Sequence, residues 1–93
     1  MVVGVCTVHL ALPGIRSLKD KRRIIKSVLE RARRQFQVAA AEVDRQDSHR
    51  HAVLAFACVS SEGRHADSVL QSVVNWLDRE DTIIIEEVSM EHR

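Results

Sequence analysis

Residues 2–12 are rich in valine and leucine with a period of two. Gly4, Cys6, Val8, Leu10 and Leu12 fall on one face of an extended chain and Val3, Val5, Thr7, His9 and Ala11 on the other, which predicts a first strand. Pro13-Gly14 stops it, because proline cannot donate to a ladder and glycine tolerates turn angles. The period then lengthens. Leu18, Ile25, Val28, Leu29, Ala32 and Phe36 recur at helical spacing, with Ile24 at the edge, and predict an amphipathic helix of about five turns. Ser17 is placed to cap its N-terminus, and Asp20 to answer as a capping box and to suit the positive end of the helix dipole. Over residues 36–45 the period returns to two, with Phe36, Val38 and Ala40 on one face, Ala39, Ala41 and Val43 on the other, and a bulge near Glu42, so a second strand is expected there. A polar turn over 45–50 leads into a third strand at 52–60, whose Leu54, Phe56 and Cys58 oppose Val53, Ala55, Ala57 and Val59. Ser61-Glu62-Gly63 opens a second helix with the stripe Ala66, Val69, Leu70, Val73, Val74 and Leu77 and with Trp76 at its margin; a fourth strand is expected at 82–90.

Strand, helix, strand, strand, helix, strand is the split βαβ order. The fold class expected is α+β, ferredoxin-like (βαββαβ), with a four-stranded antiparallel sheet and both helices on one face. Ninety-three residues make a single domain, 1–93, and 45% apolar with 29% charged residues is the composition of a folded chain. No apolar run approaches the length of a membrane span, and residues 1–12 carry no basic segment ahead of the apolar stretch and no small-residue cleavage site. A cytoplasmic location is therefore expected, with Cys6 and Cys58 as reduced core thiols rather than a bridge.

The run Ser17-Leu18-Lys19-Asp20-Lys21-Arg22-Arg23-Ile24-Ile25-Lys26-Ser27, the strand Val2-Val3-Gly4-Val5-Cys6 before it, and Glu42-Val43-Asp44-Arg45-Gln46-Asp47 resemble the YlxP-like family of small bacterial proteins. The resemblance covers nearly the whole chain. It implies a ferredoxin-like fold, no established catalytic activity, and gene company among translation and ribosome maturation. Members frequently carry an aromatic just after the Gln-Asp pair, where this chain has His49.

Charge changes the picture more than composition does. Between Arg16 and Arg34 nine basic residues face two acidic ones, a local net of +7 in a chain of net +1, which leaves the remainder at −6. On a helical projection Lys19, Arg23, Lys26, Arg33 and Arg34 share the face opposite the apolar stripe. Such a ridge suits a phosphate backbone without base specificity, and these five residues are the candidate nucleic-acid contacts. The plainer alternative is a solvated face, partly neutralised by Glu30 at four-residue spacing from Lys26 and Arg34. Lys21 and Arg22 project toward the apolar side, with buried stems and heads reaching the surface near the Pro13–Arg16 loop. Arg16, Lys21 and Arg22 are thus the candidate anion site at a helix N-terminus.

The uncovered sheet face is expected to be apolar, with Val3, Val5, His9, Val53, Ala55 and Ala57 as the candidate interface, flanked by Ala39, Ala41, Val43 and Val59. More apolar surface lies there than monomers usually leave wet, so a homodimer, sheet against sheet, is expected. No base-stacking aromatics stand on that face. Catalytic chemistry has no recognisable set: an acyl-phosphate site on this fold needs an arginine such as Arg16 and a water-positioning asparagine, and the only asparagine, Asn75, falls in the second helix. The His49 and His51 turn with Asp47 holds metal-ligand types at a spacing too loose for a metal site, and no cofactor is expected. The sequence thus points to a non-enzymatic binding module, docking to RNA or the ribosome through the first helix; the alternative is a dimeric small-molecule sensor resembling the amino-acid-binding ACT modules, motivated by the apolar sheet and Gly14.

Overall fold

The computed structural model describes all residues from Met1 to Arg93 and has the element order β1 (Val2–Ala11), α1 (Leu18–Phe36), β2 (Ala39–Asp44), β3 (His51–Ser60), α2 (Gly63–Leu77) and β4 (Ile84–His92). The strands form one antiparallel sheet in the order β2-β3-β1-β4, and the two helices cover one face, so the fold is the ferredoxin-like α+β arrangement.

Alternation in β1 does what its pattern demands. Cys6, Val8 and Leu10 are buried beneath the helices, while the intervening side chains stay half-exposed on the open face. Phe56 and Leu54 of β3, Val28 and Ala32 of α1, and Leu70, Val73 and Leu77 of α2 complete one continuous core between sheet and helices. Gly4 sits where α2 approaches closest: a Cβ there would lie 3.0 Å from both Ala66 Cβ and Leu70 Cδ1.

Ser17 caps α1 as expected, its hydroxyl accepting from the Asp20 backbone N–H at 3.1 Å. The return half of the capping box is absent, because the Asp20 carboxylate turns to the Arg23 guanidinium at 3.3 Å. The second strand starts later than its period-two pattern suggests. Phe36 lies one turn beyond Ala32, so it extends the apolar stripe of α1 and packs edge-on against Trp76, with ring centroids 5.7 Å apart. The helix ends only at Gln37, whose N–H still bonds to the Arg33 carbonyl and whose left-handed backbone (φ 54°) then turns the chain out of the helix, and β2 begins at Ala39. A second shift concerns β4. It starts at Ile84 rather than 82 and runs on to His92, carrying the ladder with β1 as far as Gly4. A bulge between His9 and Leu10 resets its register, and the adjoining Glu86-Glu87 pair obscures any alternation in the sequence. No helix is long and apolar enough to cross a membrane.

Candidate functional site: the basic face of the first helix

α1 presents its apolar stripe to the sheet and its polar flank outward. Lys19, Arg23, Lys26, Arg33 and Arg34 are all exposed, and the ridge from Lys19 to Arg34 is about 22 Å long at 1.5 Å per residue. Two of the five have contacts within the chain. Arg23 pairs with Asp20, and Arg33 donates to the Ala40 carbonyl of β2 at 2.6 Å. Lys19, Lys26 and Arg34 form no ion pair or side-chain hydrogen bond. Glu30 stands exposed among them and forms no direct ion pair with Lys26 or Arg34, so it lowers the charge of the ridge without occupying either cation. The basic residue of this segment that is firmly held is Arg31, outside the ridge: its guanidinium meets Glu80 at 2.6 Å and lies 5.3 Å from the Trp76 ring centre.

Lys21 overturns the expectation of a surface-seeking head. It is 0% exposed, and its ammonium is bonded to the Arg45 carbonyl at 2.7 Å and paired with the Glu42 carboxylate at 2.8 Å. Lys21 sits at the first turn of α1, over the strand that carries Glu42, so its reach is inward and β2 supplies the counter-charge. An ammonium engaged in this way has no place in an anion site, and of the three residues proposed for one, Arg16 and Arg22 alone remain on the surface.

The same buried lysine brings in arginines that local pattern does not connect to the helix. Lys21 holds the backbone of Arg45, itself in the left-handed region (φ 61°), and the Leu12 N–H holds the Arg50 carbonyl at 2.8 Å. The 45–50 turn is thereby fastened to the start of α1 with both arginine side chains exposed. Arg16, Arg22, Arg45 and Arg50 gather at this end of the molecule, and none has an acidic partner. Their convergence depends on contacts of long sequence separation, which no local motif announces.

On the open sheet face Val3, Val5, His9, Ala55 and Ala57 are half-buried as placed by the alternation. Val53 is a correction. At 4% exposure, flanked in register by His9 and Asp44, it is already enclosed by its own sheet and offers no surface to a partner. The most exposed apolar side chains of this face stand nearer its margins, Val59 at 67% and Ile84 at 55%. None of the three aromatics is presented for stacking: Phe56 is fully buried and Phe36 and Trp76 pack on each other between the helices. His9 stands 3.6 Å from Glu87, and His51 3.8 Å from Glu86.

Both cysteines are free thiols. Burial raises the Cys6 thiol to about 11, and burial together with the nearby Asp67 carboxylate raises that of Cys58. Neither is activated as a nucleophile. Asn75 lies on the outer flank of α2 and accepts from Gln71 at 3.0 Å. No three His, Cys, Asp or Glu side chains converge in a way that holds a metal ion.

A family model described as a protein of unknown function, DUF503, matches residues 3–90. The chain is 34% identical over 62 residues to the uncharacterized protein YlxP of Bacillus subtilis (strain 168), an alignment that covers 67% of each chain. With the βαββαβ fold and these matches in hand, the chain belongs to the DUF503 family and is similar to YlxP.

Proposed function

We propose that this protein is a non-catalytic, cytoplasmic docking module that meets the phosphate backbone of RNA, the ribosome's included, through the outer face of α1. The observation that carries this reading is the set Lys19, Lys26 and Arg34: three cations along one helix with no partner in the chain, on a molecule whose remainder is net acidic. Arg16, Arg22, Arg45 and Arg50 extend the same potential around the helix start. A surface of this kind gains affinity by releasing condensed counterions. Without aromatics to stack on bases, it reads charge and shape rather than sequence.

A second copy on the open sheet face is part of the proposal. Val3, Val5, Ala55 and Ala57 with exposed Val43 and Val59 make a broad apolar surface, and two such sheets pack face to face about 10 Å apart. Pairing there leaves α1 of each copy outermost, so the two ridges face away from each other and each stays accessible.

The test is binding of a labelled RNA at a series of salt concentrations, followed by fluorescence anisotropy. If about four phosphates are neutralised, log K against log salt has a slope of about −3 to −4. Lys19→Glu, Lys26→Glu and Arg34→Glu together are expected to abolish binding while leaving the circular dichroism spectrum unchanged. Binding that ignores salt, or that survives the triple variant, defeats the reading. Sedimentation equilibrium checks the second copy, and Val5→Lys with Ala57→Lys is expected to give a monomer.

A further inference from the structure

β4 is the least finished part of the molecule. It lies at one end of the sheet and hydrogen-bonds to β1 alone, so its outer edge presents unpaired N–H and C=O groups over nine residues. Its inner side is thinly covered as well, because α2 sits over β1 and β3. Val88 and Met90, opposite the fully buried Val8 and Cys6, are themselves 37% and 36% exposed. Beside them runs an open cleft of about 650 Å3 in which Met90 is the one apolar residue among Arg64, Asp67, Ser68, Gln71, Glu91 and His92. A contact of 2.6 Å from His92 to Asp67 ties the far end of β4 to the helix.

The other side of β4 is acidic. Glu87 and Glu91 stand on the open face, in register with His9 and Val5, and Glu86 joins them at the bulge; within the chain Glu91 is met by Arg93 at 2.8 Å, and Glu87 has only His9 at 3.6 Å. The opposite edge of the sheet is different: β2 is six residues long, and its Ala40 carbonyl is already taken by Arg33.

A long edge with free backbone groups, an apolar inner side and a carboxylate outer side is complemented by one kind of strand. Another copy of this chain does not supply it. Two β4 strands side by side set glutamates against glutamates, which disfavours the pairing, and none of the four strands carries a lysine or arginine. We propose that β4 receives, as a fifth strand, an extended segment of a partner protein in which apolar residues alternate with lysine or arginine. The apolar side chains lie beside Val88 and Met90 on the inner side, and the basic ones meet Glu87 and take the place of Arg93 at Glu91. This surface lies on the sheet edge, and the proposal stands whether or not α1 binds RNA.

The probe is a capped ten-residue peptide of alternating valine and lysine, with binding followed by anisotropy and by amide hydrogen exchange of the full chain. Binding is expected to slow exchange of amides within residues 84–92. Methylating every second backbone nitrogen of the peptide distinguishes strand pairing from mere charge attraction, because alternate N–H groups point to opposite edges. One methylation phase is expected to weaken binding at least tenfold and the other to spare it. In the protein, Glu87→Lys with Glu91→Lys is expected to lose at least tenfold toward the lysine peptide and to gain binding of a valine–glutamate peptide, a swap that a misfolded variant cannot give. The proposal is overturned if the valine–lysine peptide fails to bind, if both methylation phases behave alike, or if the protected amides lie outside β4.

Discussion

α1 and α2 solve the same packing problem on the same sheet and differ in what they do with the side left over. Much of the outer flank of α2 is satisfied within the chain, with Arg64 and His65 left to solvent: Gln71 donates to Asn75, the Ser72 hydroxyl donates to the Ser68 carbonyl, and Asp67 meets His92. The outer flank of α1 is longer and strongly basic, and Lys19, Lys26 and Arg34 find nothing to hold. Inward, the contrast reverses. α2 buries only Ala66, Leu70, Val73 and Leu77, whereas α1 buries a charged residue, Lys21, together with its apolar stripe. Stability alone accounts for both inner faces and for most of the outer face of α2. It gives no account of the outer face of α1, where seven more positive than negative charges between Arg16 and Arg34 repel one another.

The largest effect expected of any test of this contrast falls on Lys21. Lys21→Ala leaves the Glu42 carboxylate, whose side chain is mostly buried, without its counter-charge and should cost about 4 kcal/mol in urea denaturation. The double replacement Lys21→Met with Glu42→Leu should recover most of that loss. A single variant as mild as a surface change would mean that α1 seats itself by packing alone, as α2 does.

The next effect comes from the inner face of β1, which α2 covers. With the Cys6 thiol raised from 9.0 to about 11 in the folded chain, both states hold the proton below pH 9. As pH rises from 9 to 11 the unfolded thiol ionises first, so stability falls, by about 2 kcal/mol over that window. Cys6→Ala should remove this part of the alkaline loss, measured as the pH dependence of the urea midpoint.

Gly4→Ala probes the close approach of α2 directly. Its new methyl must displace Ala66 or Leu70, and a cost of about 1 to 2 kcal/mol is expected, with chemical-shift changes concentrated in α2 and sparing α1. The smallest effects compare the two outer flanks. Lys19→Ala, Lys26→Ala and Arg34→Ala should each leave stability within about 0.5 kcal/mol. Asp67→Ala, which removes the 2.6 Å contact to His92, should cost about 0.5 to 1 kcal/mol. A ridge variant that destabilises as much as Asp67→Ala would show that the ridge has a structural task.

Period and punctuation were enough to order all six elements and to separate the buried from the open face of β1 and β3, because those strands alternate and the helices carry clean stripes. They fail where two readings of a residue coincide. Phe36 satisfies both a period of two toward Val38 and a helical step from Ala32, and only its contact with Trp76 decides. β4 begins two residues later than the run of β-branched residues from Thr82 suggests, because the Ile83 N–H closes a turn on the Glu80 carbonyl. The basic ridge was legible, being local to one helix. The fate of Lys21 was not, since its partners Glu42 and Arg45 come from a strand and turn more than twenty residues on. For the same reason Arg45 and Arg50 escaped notice as neighbours of the helix start.

That buried tie also bears on how association proceeds. A turn clipped to the helix by Lys21 and by the Leu12 N–H arrives at any encounter with its backbone already ordered. Little main-chain freedom is then left to lose on contact, and the entropic penalty of binding is confined to the long side chains themselves. Binding at this end should therefore show a small heat-capacity change, the signature of rigid, wet association rather than of folding upon contact.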